Sequence, residues 1–393
     1  MAPKKGDEAP ARVILGRARN NVEMGILGLP NVGKSSFFNV LCKVSVPAEN
    51  FPFCTIDPNT AKDEVPDKRY KFLCEVYKPK NEVPAALTVT DIAGLVRGAS
   101  EGSGLGNEFL SHVKSVDGLY HLCRGFEDPE VTHVEPGPID PVRDLEIIHN
   151  ELRMKDLQIV NKWISANEKV AERGGAAAKE LKEELDVIRK VKAMLESETP
   201  KDVRAGTWNP KEIEILNKHL FITAKPMVYL VNLPKRGYIK KASKYLSKVA
   251  EYVTARGCGD QVIPFSVVFE NELLEAEQNG QKEQYLADCE GAISMLPRII
   301  HAGYEALDLI HYFTAGADEV KCWTIRKGTE APAAAGVIHT DFQKNFICAE
   351  VTPFKDFKEC GTEQKCKELG KTRQQGRGYV VQDGDICFFK IGK

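Results

Sequence analysis

The segment Gly28-Leu29-Pro30-Asn31-Val32-Gly33-Lys34-Ser35 constrains this chain more than any other. It fits the spacing GxxxxGK[ST] and follows a short apolar run, Val22-Glu23-Met24-Gly25-Ile26-Leu27, that reads as a buried strand. Ser35-Ser36-Phe37-Phe38-Asn39-Val40-Leu41 can then open a helix. A strand, a glycine loop and a helix N-terminus in that order aim backbone N–H groups and the positive end of a helix at one spot. Such a cradle suits phosphate. Lys34 would reach the outer phosphate oxygens and assist their chemistry, the Ser35 hydroxyl would ligate Mg2+, and Asn31, Val32, Gly33 and Ser36 would complete the lining.

A loop of this kind belongs in an α/β sheet, and the rest of the chain agrees. Apolar runs recur at 86–90, 118–123, 227–231 and 261–265, separated by helical stretches, as in a parallel sheet covered on both faces. These runs place a doubly wound α/β domain over residues 21–140 and 218–304. Between them, 141–217 is charged, with apolar residues at helical spacing: Leu145, Ile148, Leu152, then Leu181, Leu185, Ile188, Val191, Leu195. Arg173-Gly174-Gly175 reads as the turn of an antiparallel α-helical hairpin. That hairpin is either an arm that grips a partner or a scaffold packed on its own domain. From 305 to 390 the texture shifts to a small mixed domain with short strands at 321–328, 346–351 and 378–389, the last carrying an Asp383-Gly384 hairpin turn. Residues 1–20 read as a flexible arm.

Composition narrows the class. The 54 basic residues nearly match the 56 acidic ones, for a net charge of −2, which excludes a generally basic nucleic-acid coat. No apolar run approaches the roughly 18 residues of a membrane span. Eleven cysteines are scattered without a CxxC pair, the pattern of reduced thiols in the cytoplasm.

The interval after the loop carries a second motif. Asp91-Ile92-Ala93-Gly94 closes the run 86–90, so that Asp91 would hold Mg2+ through water and the Gly94 N–H would sense a γ-phosphate. Between the motifs, Thr55 lies in a proline-bounded loop and could complete the Mg2+ shell. Together these parts describe a nucleotide-responsive switch of the GTPase type. Two positions depart from it. Leu95 stands where Ras-like enzymes carry the water-orienting Gln, which leaves His112, beyond a glycine-rich stretch, as the candidate water-orienter or proton shuttle. After the run 227–231, Asn232-Leu233-Pro234-Lys235 keeps the Asn but lacks the acidic residue that reads guanine. Lys235 offers only donors, so guanine preference should be lost. Backbone amides at Leu233 and Val267, with the side chains of Asn232 and Ser266, would border the base.

The segments Gly28–Ser36 (GLPNVGKSS), Asn50–Asn59 (NFPFCTIDPN), Asp91–Arg97 (DIAGLVR), Phe109–Asp117 (FLSHVKSVD), Lys225–Asn232 (KPMVYLVN), Thr314–Val320 (TAGADEV) and Arg377–Phe389 (RGYVVQDGDICFF) closely resemble the Obg-like ATPases of the YchF family. The likeness runs from about residue 20 to 390. It implies a GTPase-like P-loop domain with an inserted coiled-coil hairpin and a C-terminal β-grasp domain of the TGS kind. It also implies ATP hydrolysis with GTP accepted, association with ribosomes, a hydrolytic role for His112, and a K+ ion at Asn31 in place of an arginine finger. The family's base-reading element is typically Asn-x-x-Glu, and this chain has Lys235 in place of the Glu.

Two functions from different classes are therefore expected. One is a Mg2+-dependent ATPase and GTPase acting as a slow, monomeric switch on the translation machinery. The other is a ribosome- or RNA-binding module, using the hairpin and C-terminal domain, in which nucleotide regulates and turnover is incidental.

Overall fold

The computed structural model describes residues 15–16, 22–44, 60–92, 111–132, 135–172 and 176–392. The first sheet contains β1 (Glu23–Leu27), β2 (Thr60–Glu64), β4 (Ala86–Asp91), β5 (Gly118–Arg124), β6 (Met227–Asn232) and β7 (Gln261–Phe265), in the order β2-β4-β1-β5-β6-β7. All neighbours are parallel except β2 with β4. Every residue of β5 and β6 is buried, as expected of central strands covered on both faces. The antiparallel edge strand β2, Thr-Ala-Lys-Asp-Glu, is charged instead, which protects an open edge from further pairing. Winding proceeds from β1 toward β4 on one side and toward β5 on the other. The crevice at the carboxyl end of β1 is therefore the switch point of the sheet, where ligands of doubly wound folds sit. Residues 28–33 leave β1 at that crevice, and helix α1 (Lys34–Val44) begins directly after them.

The hairpin is made of α2 (Pro141–Glu172) and α3 (Ala176–Glu196). Its apolar stripe follows the expected spacing, but the two halves bury it differently. Leu145, Ile148 and Leu152 join the main core beneath the sheet. Farther along, Leu157 and Val160 pack with Ile188, Val191 and Leu195 over Val203, Leu216 and Phe221. The root of the hairpin is thus scaffold. Asp156 locks it: the fully buried carboxylate accepts from the N–H groups of Ile222 (2.9 Å) and Thr223 (2.8 Å) and from the Thr223 hydroxyl (2.7 Å), just before β6.

The second sheet contains β3 (Asn81–Val83), β8 (Leu309–Ala315), β9 (Glu319–Arg326), β10 (Phe346–Pro353), β11 (Arg373–Gln375) and β12 (Asp385–Ile391), in the order β11-β10-β12-β8-β9-β3. The helix Ala331–Ile338 lays Ala331, Ala334 and Ala335 against Tyr312, Phe346 and Phe389, so the sheet grasps a small-residue helix. The strand expected at 378–381 does not form. Only Val380 bridges, to Glu330, and the Tyr379 hydroxyl instead donates to Asp385 at 2.7 Å.

The two sheets are not independent. β3, from the first half of the chain, pairs parallel with β9, and Phe313, Val320, Cys322 and Phe357 share the main core with Leu73 and Leu307. A polar joint reinforces this contact. Asp67 accepts from Arg69 Nη2 (2.7 Å) and meets His311 Nδ1 (2.9 Å), while Arg69 Nη1 also donates to Asp383 (2.8 Å). Asp383 in turn accepts from the His311 N–H at 3.0 Å. Burial pushes the Asp67 carboxyl up, but the hydrogen bonds from His311 and Arg69 and the Arg69 charge outweigh it and hold the group below its ordinary range. The Asp383-Gly384 turn, expected to close a hairpin, therefore grips the first domain. Among the described residues, no helix is long and apolar enough to cross a membrane.

Candidate nucleotide-binding site

The loop after β1 adopts the geometry its glycines allow. Gly33 has φ +102°, and a Cβ there would lie 2.6 Å from Asn232 Nδ2, so no larger residue fits. Asn31 also takes a left-handed conformation, φ 61°, and its Nδ2 donates to the Thr132 carbonyl at 3.0 Å. Lys34 is buried, and its ammonium donates to the Leu29 carbonyl at 2.8 Å. Burial lowers its pKa to about 8, against the pull of the Asp91 charge. Burial likewise raises the Asp91 carboxyl, while the Lys34 charge and a hydrogen bond with Ser35 oppose the rise. A cation, a carboxylate and a hydroxyl thus converge at the mouth of the loop. Asp91 Oδ1 is buried with no hydrogen-bond partner among the described residues. That spare lone pair beside the Ser35 hydroxyl is an oxygen donor set that fits a hard divalent cation such as Mg2+. Ser36 stands exposed next to it at the head of α1.

On the base side, Asn232 does different work from that expected. Its Nδ2 donates to the Val32 carbonyl (3.0 Å) and its Oδ1 accepts from the Val267 N–H (3.1 Å), so the side chain ties the phosphate loop to the ends of β6 and β7. The amide is a strut across the site. Leu233 is buried, and its N–H donates to the Phe265 carbonyl at 2.8 Å. Ser266 is also buried, and its Oγ caps the helix Val267–Gln278 by accepting from the Phe269 N–H. Val267 is half-buried and lines an open cleft beside α1.

His112 stands exposed on the helical segment 111–115, and among the described residues its side chain bonds to neither the phosphate loop nor Asp91. Thr55 and Gly94 lie outside the described residues, as does Leu95. Sequence reading missed the strut role of Asn232, because no local pattern marks a hydrogen bond that spans 200 residues. It also missed the joint of Asp67, Arg69, His311 and Asp383, whose members carry no local pattern.

Comparison with known proteins agrees with this arrangement. A family model described as a 50S ribosome-binding GTPase matches residues 23–162, and the model of the YchF GTPase C-terminal region, described as a protein of unknown function, matches 309–392. The chain is 55% identical to Obg-like ATPase 1 of Gallus gallus over 392 residues, covering 100% of this chain and 98% of that one. The Homo sapiens Obg-like ATPase 1 is also 55% identical, with the same coverage. The structure of the Schizosaccharomyces pombe YchF GTPase superposes with a TM-score of 0.86 at 48% identity, over 96% of this chain and 100% of that one. With a phosphate loop, a DxxG carboxylate and an Asn strut assembled at the switch point of the sheet, and with relatives similar from end to end, the chain belongs to the Obg-like ATPase (YchF) family of GTPase-type P-loop nucleotide hydrolases.

Proposed function

We propose that this chain hydrolyses ATP, and also GTP, as a slow nucleotide-dependent switch that associates with ribosomes. The observation that carries the reading is the convergence beneath the glycine loop of Lys34, Ser35 and an Asp91 Oδ1 that has no hydrogen-bond partner among the described residues. Lys34 binds the outer phosphate oxygens, exchanging its bond to Leu29 for a charged partner. Ser35 and Asp91, with Thr55, would hold Mg2+, which when bound would supply positive charge against the charge developing on the phosphoryl oxygens. Asn31, whose Nδ2 is held by the Thr132 carbonyl, is the candidate ligand of a K+ ion. Leu95 cannot orient water, which leaves that task to His112, a side chain that must first move in from its exposed position outside the site. Slow turnover follows from that extra step.

A direct test compares steady-state turnover and nucleotide affinity of the full chain and His112→Ala, with ATP and with GTP, in KCl and in NaCl, with and without Mg2+. Loss of turnover at unchanged affinity supports the assignment, and unchanged turnover rejects His112. A second reading, a ribosome- or RNA-binding module with incidental hydrolysis, is favoured by the open face of the second sheet, where Ile347 and Phe388 are 58% and 62% exposed. Cosedimentation of the chain and of His112→Ala with purified ribosomes, in ATP and in ADP, separates the two readings.

A further inference from the structure

Position 235 follows the Asn strut by three residues, where a guanine-reading switch protein places a carboxylate. Here it is a lysine, and the structure pairs that lysine with a carboxylate from another helix. Lys235 opens the short helix Lys235–Ile239, and its ammonium makes an ion pair with Glu272 Oε2, from the helix Val267–Gln278. The same ammonium lies 4.7 Å from the ring centroid of Tyr285, whose hydroxyl donates to that Glu272 oxygen at 3.1 Å. Two donors therefore hold Oε2. Glu272 Oε1 accepts no hydrogen bond from a described residue.

The location matters as much as the pairing. Glu272 lines an open cleft of about 630 Å3 between α1 and the helix Val267–Gln278, shared with Ser36, Val267, Val268 and Asn271. Asn232 fastens this cleft to the phosphate loop through Val32 and Val267. A nucleotide with its phosphates on Lys34 would extend its sugar and base past Ser36 toward this cleft.

We propose that Glu272 is the base-selecting carboxylate of this chain, positioned by Lys235 and Tyr285, and that the Lys235–Glu272 pair reads either purine. The proposal rests on the reading above that triphosphate binds the glycine loop. Its chemistry follows from donor and acceptor counts. The pair offers a donor, the Lys235 ammonium, beside an acceptor, Glu272 Oε1. Adenine presents an amine donor at N6 beside the N1 acceptor, and guanine presents the O6 acceptor beside the N1–H donor. Either edge can satisfy the pair. A free carboxylate would accept both N1–H and the N2 amine of guanine, and that second bond creates guanine preference. Committing Oε2 to Lys235 and Tyr285 removes it.

The test is calorimetric titration of the full chain with ATP, GTP and purine riboside triphosphate, which lacks an exocyclic group. The wild-type chain should bind ATP and GTP within about tenfold of each other, and purine riboside triphosphate about fivefold or more weaker than ATP, the loss expected for one hydrogen bond. Glu272→Ala should erase the difference between ATP and purine riboside triphosphate. Lys235→Ala combined with Tyr285→Phe, which removes both donors from Oε2, should shift the GTP-to-ATP affinity ratio toward GTP by about tenfold. Glu272 is 40% exposed, so truncation should leave the fold intact, as thermal melting will verify, and Glu272→Gln provides a second reading. If Glu272→Ala keeps the wild-type ranking of the three nucleotides, or the Lys235→Ala, Tyr285→Phe double variant leaves the ratio unmoved, the proposal is overturned. If the wild-type chain binds no triphosphate, the reading of the glycine loop is what fails.

Discussion

Replacing Asp156 by Ala should loosen the root of the helical hairpin, and the size of the effect should depend on pH in an uncommon direction. In the native chain Asp156 is fully buried, and burial raises its pKa to about 6, despite the hydrogen bonds from Thr223 and Ile222 and with a further push from Asp202. In the unfolded chain the group titrates near the ordinary carboxylate value of about 3.9. Between these values the native chain holds a proton that the unfolded chain has released. The raised native pKa therefore contributes stability that is complete below about pH 4 and is lost as pH rises through about 6. From pH 7 to pH 5, the linkage integral over these two pKa values gains about 1.4 kcal/mol for the wild type and nothing for Asp156→Ala.

At pH 7 the substitution leaves the Ile222 and Thr223 N–H groups buried and unpaired. That costs about 1–3 kcal/mol each, partly offset by no longer burying an ionised carboxylate. The net destabilisation at pH 7 should be about 2 kcal/mol, widening to about 3.5 kcal/mol at pH 5. Urea unfolding of both chains at the two pH values, followed by circular dichroism, measures the gap directly. Carboxylates remote from Asp156 titrate alike in both chains and cancel. A gap that stays constant or narrows on acidification would refute the argument, because it would mean that the buried carboxylate is no harder to ionise than an exposed one.

Other positions carry their own expectations. Gly33→Ala should weaken triphosphate binding by about tenfold or more in a fluorescent-nucleotide titration, since the added methyl collides with Asn232 Nδ2 and the left-handed φ is strained. Asn232→Ala removes both ends of the strut and leaves the Val32 carbonyl and Val267 N–H unpaired, so stability should fall by about 1–3 kcal/mol and nucleotide affinity with it. Thermal melting and titration of one preparation will show whether the two losses travel together. Arg69→Ala removes the guanidinium from the buried Asp67 carboxylate, leaving it His311 and the backbone N–H of residue 69, and cuts the bridge to Asp383, so it should cost about 1–3 kcal/mol. Calorimetry should then show the second sheet melting ahead of the first.

What could be read in the sequence was local. The phosphate loop is legible because Gly28 through Ser36 are consecutive, and short-range sterics dictate how such a segment turns from strand into helix. The strands β1, β4, β5, β6 and β7 are legible because apolar runs of that length have one way to be buried on both faces, and the hairpin because its stripe repeats at helical spacing. Periodicity tells which face of an element is buried but never against what. So the sequence left open whether the hairpin protrudes or packs, and the fold answered for its root by seating Leu145 and Ile148 in the main core. The misplaced strand at 378–381 has the same cause, since β propensity yielded there to contacts with Glu330 and Asp385. Three relationships existed only once the chain had folded: Asn232 against Val32, Lys235 against Glu272, and Arg69 against Asp383. Each joins polar groups far apart in sequence, and hydrogen bonds carry no periodic signature along the chain. Only the order of strands in the sheets decides which loops meet, and so which lysine finds which carboxylate at the mouth of the site.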